Sequence, residues 1–219
     1  MQMKPTKEDS EKGTKVRAAI FDATEKIMQE EGYAAVSSRK VARKAGLKSQ
    51  LLHYYFKTMD ELFVAVWQRY DDRFLEHQAR ILASHRPLTA LWQLSIDSKD
   101  VTLRHEFIAL ANHRKAIGAL IARSARRNRN MQVAAITHHF EQHGIDQEEF
   151  SPLVLVLLFA FVSRSMITEE NFGVTDDHAA IIGYIERTIA EIEGGSRKKT
   201  PRKTPTTRTA LKPRRAARK

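Results

Sequence analysis

At 219 residues the chain is long enough for one or two compact domains with a substantial buried core. It contains no cysteine, which excludes disulfides, thiolate metal sites and cysteine nucleophiles. The formal net charge of +11 resides in residues 197–219, where eleven Lys and Arg meet no acid, while residues 1–196 carry 26 basic and 26 acidic side chains.

The opening MQMKPTKEDSEKG is charged throughout and lacks the apolar stretch of a secretory signal, so residues 1–13 read as a flexible arm and a cytoplasmic, nucleoid-associated location is expected. Val16, Ile20, Ile27 and Met28 recur at three- and four-residue spacing and predict an amphipathic helix over 14–31, stopped by Gly32. Ser37 or Ser38 caps a short helix through Ala45, Gly46 ends it, and a third short helix covers Ser49 to Phe56. Asp60 and Glu61 suit the positive end of a long fourth helix, to about Ser84, that carries Leu62, Phe63, Val66, Tyr70 and Phe74. Helices follow at Leu88–Ile96, about Thr102–His113, and Lys115 to about His143, closed by Gly144.

Two start signals compete for the next helix. Asp146 with Glu149 resembles a capping box, and Ser151-Pro152 an N-cap followed by proline; a start or kink at Pro152 is favoured. This segment, to about Thr168, is apolar nearly all round and must be covered by other helices or by a partner chain. Its longest apolar run, Leu153 to Val162, is ten residues, short of the roughly 20 needed to cross a bilayer, and no membrane partner is expected. A last helix capped by Thr175 carries Ile181, Ile185 and Ile189 on one side and ends at Gly194-Gly195. No strand is predicted, so the fold class is all-α. Beyond residue 195 the Lys, Arg, Pro and Thr composition predicts a disordered basic tail over 196–219.

Residues 39–57 hold Arg39, Lys40, Arg43, Lys44, Lys48 and Lys57 with no carboxylate, on two short helices joined at a glycine. That layout matches a helix-turn-helix; a solvated basic face is the plainer alternative for the charges alone. The stretch VSSRKVARKAGLKSQLLHYYFKTMDELF resembles the DNA-binding domain of the TetR (tetracycline-repressor-like) family, in its Val41-Ala42 pair, Ala45-Gly46-Leu47 turn, Leu52, Tyr55-Phe56 and Glu61-Leu62-Phe63. The resemblance covers residues 14–66. It implies a three-helix DNA-binding domain at 14–58 and a larger helical ligand-binding and dimerisation domain at 59–195. Lys48 stands where members usually have a capping Ser or Thr, so the cap is expected to move to Ser49.

A recognition helix offers its N-terminal side chains to base edges in the major groove, while neighbouring groups hold phosphates. Gln50 is therefore assigned paired hydrogen bonds to adenine, Arg39 a guanine or phosphate, and Leu51 a thymine methyl. The resemblance implies phosphate or mixed contacts from Ser38, Lys48, Ser49, His53, Tyr54 and Lys57. Val41, Ala42, Leu47, Leu52 and Phe56 are read as packing residues.

One recognition helix reads few base pairs, so a homodimer on double-stranded DNA is expected. Leu155, Leu158, Phe159 and Val162, with Ile181, Ile185 and Ile189, form the expected seam, intramolecular core being the alternative. The resemblance also implies a pocket for a small-molecule inducer, not identified by the sequence. Trp67, Tyr70, Trp92, Phe107 and Leu110 are candidate apolar wall, unless they are ordinary core. Arg104, His105, Asn112 and Arg164 are the polar candidates, Arg164 because a guanidinium within an apolar helix needs an anion, from a ligand or from the protein.

His139 and His143 could share a helix face, but no thiolate accompanies them, and no metal or cofactor is expected. No Gly-rich phosphate loop, HExxH or nucleophile motif appears, so an enzyme is not expected. The leading expectation is a repressor released from a palindromic operator by its inducer. An architectural protein dominated by the basic tail, and a helical carrier or enzyme, are the alternatives.

Overall fold

The computed structural model describes residues 7–96 and 98–194. Among the described residues nine α-helices follow one another: α1 (Lys7–Glu31), α2 (Ser38–Lys44), α3 (Ser49–Tyr55), α4 (Met59–Leu82), α5 (Pro87–Ile96), α6 (Ser98–Ala111), α7 (Lys115–His143), α8 (Pro152–Glu170) and α9 (His178–Glu193). A single 3-10 turn, Tyr33–Ala35, links α1 to α2, and no strand occurs among the described residues. The expected all-α class holds. The basic tail of 196–219 lies outside the described residues.

Local chemistry explains the boundaries. α1 starts at Lys7, so residues 7–13, expected as a flexible arm, are instead helical. Once the amphipathic segment has nucleated a helix, each further residue costs little, and the straight-chain Lys and Glu here propagate it well. Ser37, rather than Ser38, caps α2 by accepting from the Lys40 backbone N–H at 3.4 Å. α2 ends in a Schellman motif: the Leu47 N–H donates to the Ala42 carbonyl at 2.8 Å and the Gly46 N–H to the Arg43 carbonyl at 3.2 Å. The motif requires Gly46 at φ 68°, a left-handed conformation that a side chain would strain. Lys48 occupies the N-cap of α3 without a side-chain bond, and Ser49 is the first helical residue rather than the cap.

α4 is opened by a cap the sequence reading passed over. Thr58 accepts from the Glu61 N–H at 3.1 Å, and the Glu61 carboxylate accepts from the Lys57 N–H at 2.8 Å. α6 begins at Ser98, earlier than expected, and α9 is capped at Asp177, not at Thr175, whose carbonyl instead accepts from the His178 N–H. α8 starts at Pro152 as favoured, with proline at a position that has no intrahelical partner to lose.

Two apolar cores run through the molecule. The first joins Ile20, Phe21, Ile27 and Met28 of α1 to Val41, Leu52 and Phe56, and continues through Leu62, Phe63 and Val66 of α4 into Phe107 and Leu110 of α6. Packing therefore does not break at the expected 58/59 boundary. The second joins Leu88, Leu91 and Trp92 of α5 with Ile136 and Phe140 of α7, Val156, Phe159 and Met166 of α8, and Ile189 and Ile192 of α9. Polar ties add to this packing: the Tyr33 N–H donates to Glu106 of α6 at 2.7 Å, and Arg114 after α6 pairs with Asp60 of α4.

α8 is, among the described residues, the one helix long and apolar enough to cross a membrane, with mean hydropathy 1.6. Here its Val156, Phe159, Ser163 and Met166 are buried in the bundle. This corrects the expected seam. Phe159, at 4% exposure, packs against Trp92 with the rings tilted and their centroids 5.4 Å apart, and Ile189 is 3% exposed. Both belong to the protomer core. Leu155, Val162 and Ile185 are partly buried against that core, whereas Leu158 and Ile181 face outward. Beside those two, Val154, Phe161 and Tyr184 are also exposed.

Candidate nucleic-acid interface and ligand cavity

The first core orients α2 and α3. Val41 and Ala42 on α2, with Leu52 on α3 and Phe56 just after it, are buried, and Leu47 packs against the same cluster from the turn. Fixing these inward positions turns the opposite sides of both helices to solvent. Gln50, His53 and Tyr54 are exposed along α3 with Ser49, and Arg39 projects from α2. Lys48 and Lys57 are exposed at the two ends of α3, while Ser38 and Leu51 are half-buried at its margin. Tyr54, at 71% exposure, is a large aromatic ring held in solvent, leaning edge-on against Tyr55 at 5.3 Å. All nine of these residues are thus exposed or half-buried.

The basic patch is smaller than its composition. Lys40 pairs with Glu31 and Lys44 with Glu30, both acids lying at the end of α1. The Lys44 ammonium, hydrogen-bonded to Glu30, holds that carboxyl below its ordinary value. The sequence segment 39–57 contains no acid, but the fold supplies two. Arg39, Arg43, Lys48 and Lys57 remain exposed and without an ion pair to a described residue. Behind the surface, Arg69 of α4 bonds Glu25 at 3.2 Å and Asp22 at 2.5 Å of α1 and lies 5.0 Å from the Phe21 ring, bracing α1 on α4.

A second feature is a cavity of about 180 Å³ bounded by α4, α5, α6, α7 and α8. Of the residues expected to line a pocket, Trp67, Arg104, His105 and Arg164 do so. The others do not. Tyr70, Trp92, Phe107 and Leu110 are buried core, and Asn112 is exposed at the turn after α6. Arg164 is exposed beside the cavity and is not a buried cation, because the outer side of α8 faces solvent.

Sequence reasoning missed Asp71, which organises the cavity floor from its buried place on α4. Its carboxylate accepts from the Ser124 hydroxyl at 2.6 Å and from Arg127 at 2.6 Å, and Ser124 in turn accepts from the Trp67 indole N–H at 3.1 Å. The available signal was an acid inside the apolar period of α4, four residues after Trp67. His105, on the cavity wall, has its pKa lowered by burial first and then by the nearby Arg104 and Arg164 charges. His139 and His143 lie with ring centroids 4.2 Å apart, and no cluster of three or more metal-ligating side chains occurs among the described residues.

Residues 20–66 match the family described as bacterial regulatory proteins, tetR family. The chain is 29% identical over 110 residues to the HTH-type transcriptional regulator PksA of Bacillus subtilis (strain 168), a match covering 46% of this chain and 54% of PksA. It therefore spans about half the length of that relative. Likeness of fold extends further. A TetR transcription regulator from Haloarcula marismortui superposes with TM-score 0.65 at 17% identity, covering 83% of this chain and 97% of the other. A transcriptional regulator from Saccharomonospora viridis, solved in complex with choline, does so with TM-score 0.65 at 16% identity, covering 81% and 95%.

Proposed function

We propose that the chain, whose residues 20–66 match the tetR family of bacterial regulatory proteins, is a sequence-specific DNA-binding transcription regulator. One observation carries the reading: Arg39, Gln50, His53 and Tyr54 are exposed together on two helices whose opposite faces are locked into the core. A helix so presented suits the major groove, with Gln50 and Arg39 toward bases, Leu51 toward a thymine methyl, and Ser38, Lys48, Ser49, His53, Tyr54 and Lys57 toward phosphates. The proposed form is a homodimer on a palindromic operator in the cytoplasm, acting as a repressor without catalytic activity of its own.

A small molecule in the cavity would release the DNA. Only a ligand that binds one conformation better can shift the equilibrium, and the cavity walls favour such coupling. α6 contributes Arg104 and His105 to the cavity, and one residue on, Glu106 holds the turn after α1. Trp67 and Phe74 of α4 line the same space, and α4 shares the first core with α2 and α3.

Selection of genomic DNA fragments by the full chain at about 150 mM salt, which suppresses nonspecific phosphate binding, tests the reading. Recovery of one palindromic site is the expected result. The eleven unopposed cations of residues 197–219 favour a second, architectural reading, with the tail as a nonspecific anchor. Under it no preferred site is recovered, and truncation after Ser196 removes most of the affinity.

A further inference from the structure

We propose that the cavity takes a small organic anion, a carboxylate on an apolar body of about one ring; the inference rests on the regulator reading only in calling that anion the effector. The lining residues include Arg104, Arg129 and Arg164 and no Asp or Glu. None of the three arginines forms an ion pair with a described residue. Apart from the His105 ring, the other side-chain donors of the lining are already committed. The Trp67 N–H and the Ser124 hydroxyl serve the Asp71 network, the Ser95 hydroxyl donates to the Leu91 carbonyl, the Ser163 hydroxyl to the Ala160 carbonyl, and the Gln132 amide to Gln78. What remains to meet a ligand is mainly guanidinium N–H, which recognises oxyanions through a planar, bidentate fork.

The guanidiniums are also held in place. Arg104 lies 5.7 Å from the Phe74 ring and Arg164 lies 6.0 Å from the Phe161 ring, and both rings line the cavity. Stacking a guanidinium on an aromatic face leaves its edge free for an anion. The lining also includes apolar side chains, of which Trp67, Leu91 and Val156 are almost fully buried. On size, a dry cavity of about 150 Å³ is known to admit benzene, so about 180 Å³ suits one ring with a carboxylate. The His105 pKa, lowered first by burial, is lowered further by the Arg104 and Arg164 charges of the site.

Titration calorimetry on the full chain at constant ionic strength tests this with three one-ring probes: benzoate, benzamide and benzylammonium. Charge-assisted hydrogen bonds exceed neutral ones enough that benzoate is expected to bind about tenfold more tightly than benzamide, with no binding of benzylammonium. In Arg104→Gln/Arg164→Gln the benzoate preference is expected to vanish, and Arg164→Gln alone, at an exposed position, to reduce it in a chain that circular dichroism shows to be folded. Equal binding of benzoate and benzamide, binding of none of the three, or a preference indifferent to both substitutions would overturn the proposal. Operator binding scored on the same samples separates the two readings: a specific site without anion preference removes this inference alone, and no specific site removes the regulator reading.

Discussion

His139 shows how a single buried side chain sets a pH limit on the fold. Its ring is 7% exposed, its Nε2 atom has no hydrogen-bond partner, and the His143 ring lies 4.2 Å away. Burial first, and then the neighbouring His143, lower its pKa, with Glu193 opposing. Below about pH 6.5 the unfolded chain protonates this residue before the folded one does. The unfolded state then binds more protons, so stability is lost as the pH falls, and it is full above that value. Urea denaturation at pH 7.5 and pH 5.5 is expected to show this loss, and His139→Gln to show a smaller one. An equal loss in both chains would remove His139 as its source. At this scale the sequence revealed which side chains are exposed better than which line the cavity. Arg39 and Gln50 were legible because their exposure follows from helix period within a short motif. Trp92 and Phe107 were not separable from Trp67, because a large aromatic in an apolar stripe looks the same whether it meets a neighbour or a void.

At the scale of elements, α8 illustrates what an apolar run conceals. A helix apolar nearly all round has no period to reveal which side meets its own protomer, and Phe159 was assigned to a partner for that reason. The fold resolves the two sides: Val156, Phe159, Ser163 and Met166 face inward, and Val154, Leu158 and Phe161, spaced four and three apart, stay exposed. Ile181 and Tyr184 extend an apolar surface on α9. Such a stripe on a helical bundle suits a second copy of the chain, in the helix-on-helix packing proposed for the dimer. Leu158→Asp puts an unpaired charge in that seam while touching no core position, so a shift from dimer to monomer is expected in analytical ultracentrifugation, with helicity unchanged. A dimer that survives the substitution would place the seam elsewhere. The boundaries of α2, α7 and α8 were readable from Ser37, Gly144 and Pro152 because each signal acts within one turn. The extension of α1 to Lys7 was not, because charged residues ahead of an amphipathic segment carry no period of their own.

Across the whole molecule, one continuous core links α2 and α3 to α4 and α6, which also wall the cavity. Sequence reading drew a domain boundary at 58/59, where the turn at Thr58 interrupts the helices, but packing passes through it. Long-range pairings such as Lys40 with Glu31, Lys44 with Glu30 and Arg114 with Asp60 likewise lie beyond a linear reading. These pairings sharpen the central claim, since they divide the basic residues of 39–57 into paired and free. The most direct test is fluorescence anisotropy on the selected DNA site and on a scrambled control, at about 150 mM salt, for the unaltered chain, Gln50→Ala and Lys44→Ala. Losing a paired hydrogen bond to a base costs about 1–3 kcal/mol, so Gln50→Ala is expected to weaken binding to the site by roughly 5- to 150-fold and to leave the control unchanged. Lys44, tied to Glu30, is expected to alter neither. A Gln50→Ala chain that keeps its full preference for the site, or an unaltered chain with no preference, would contradict recognition by α3.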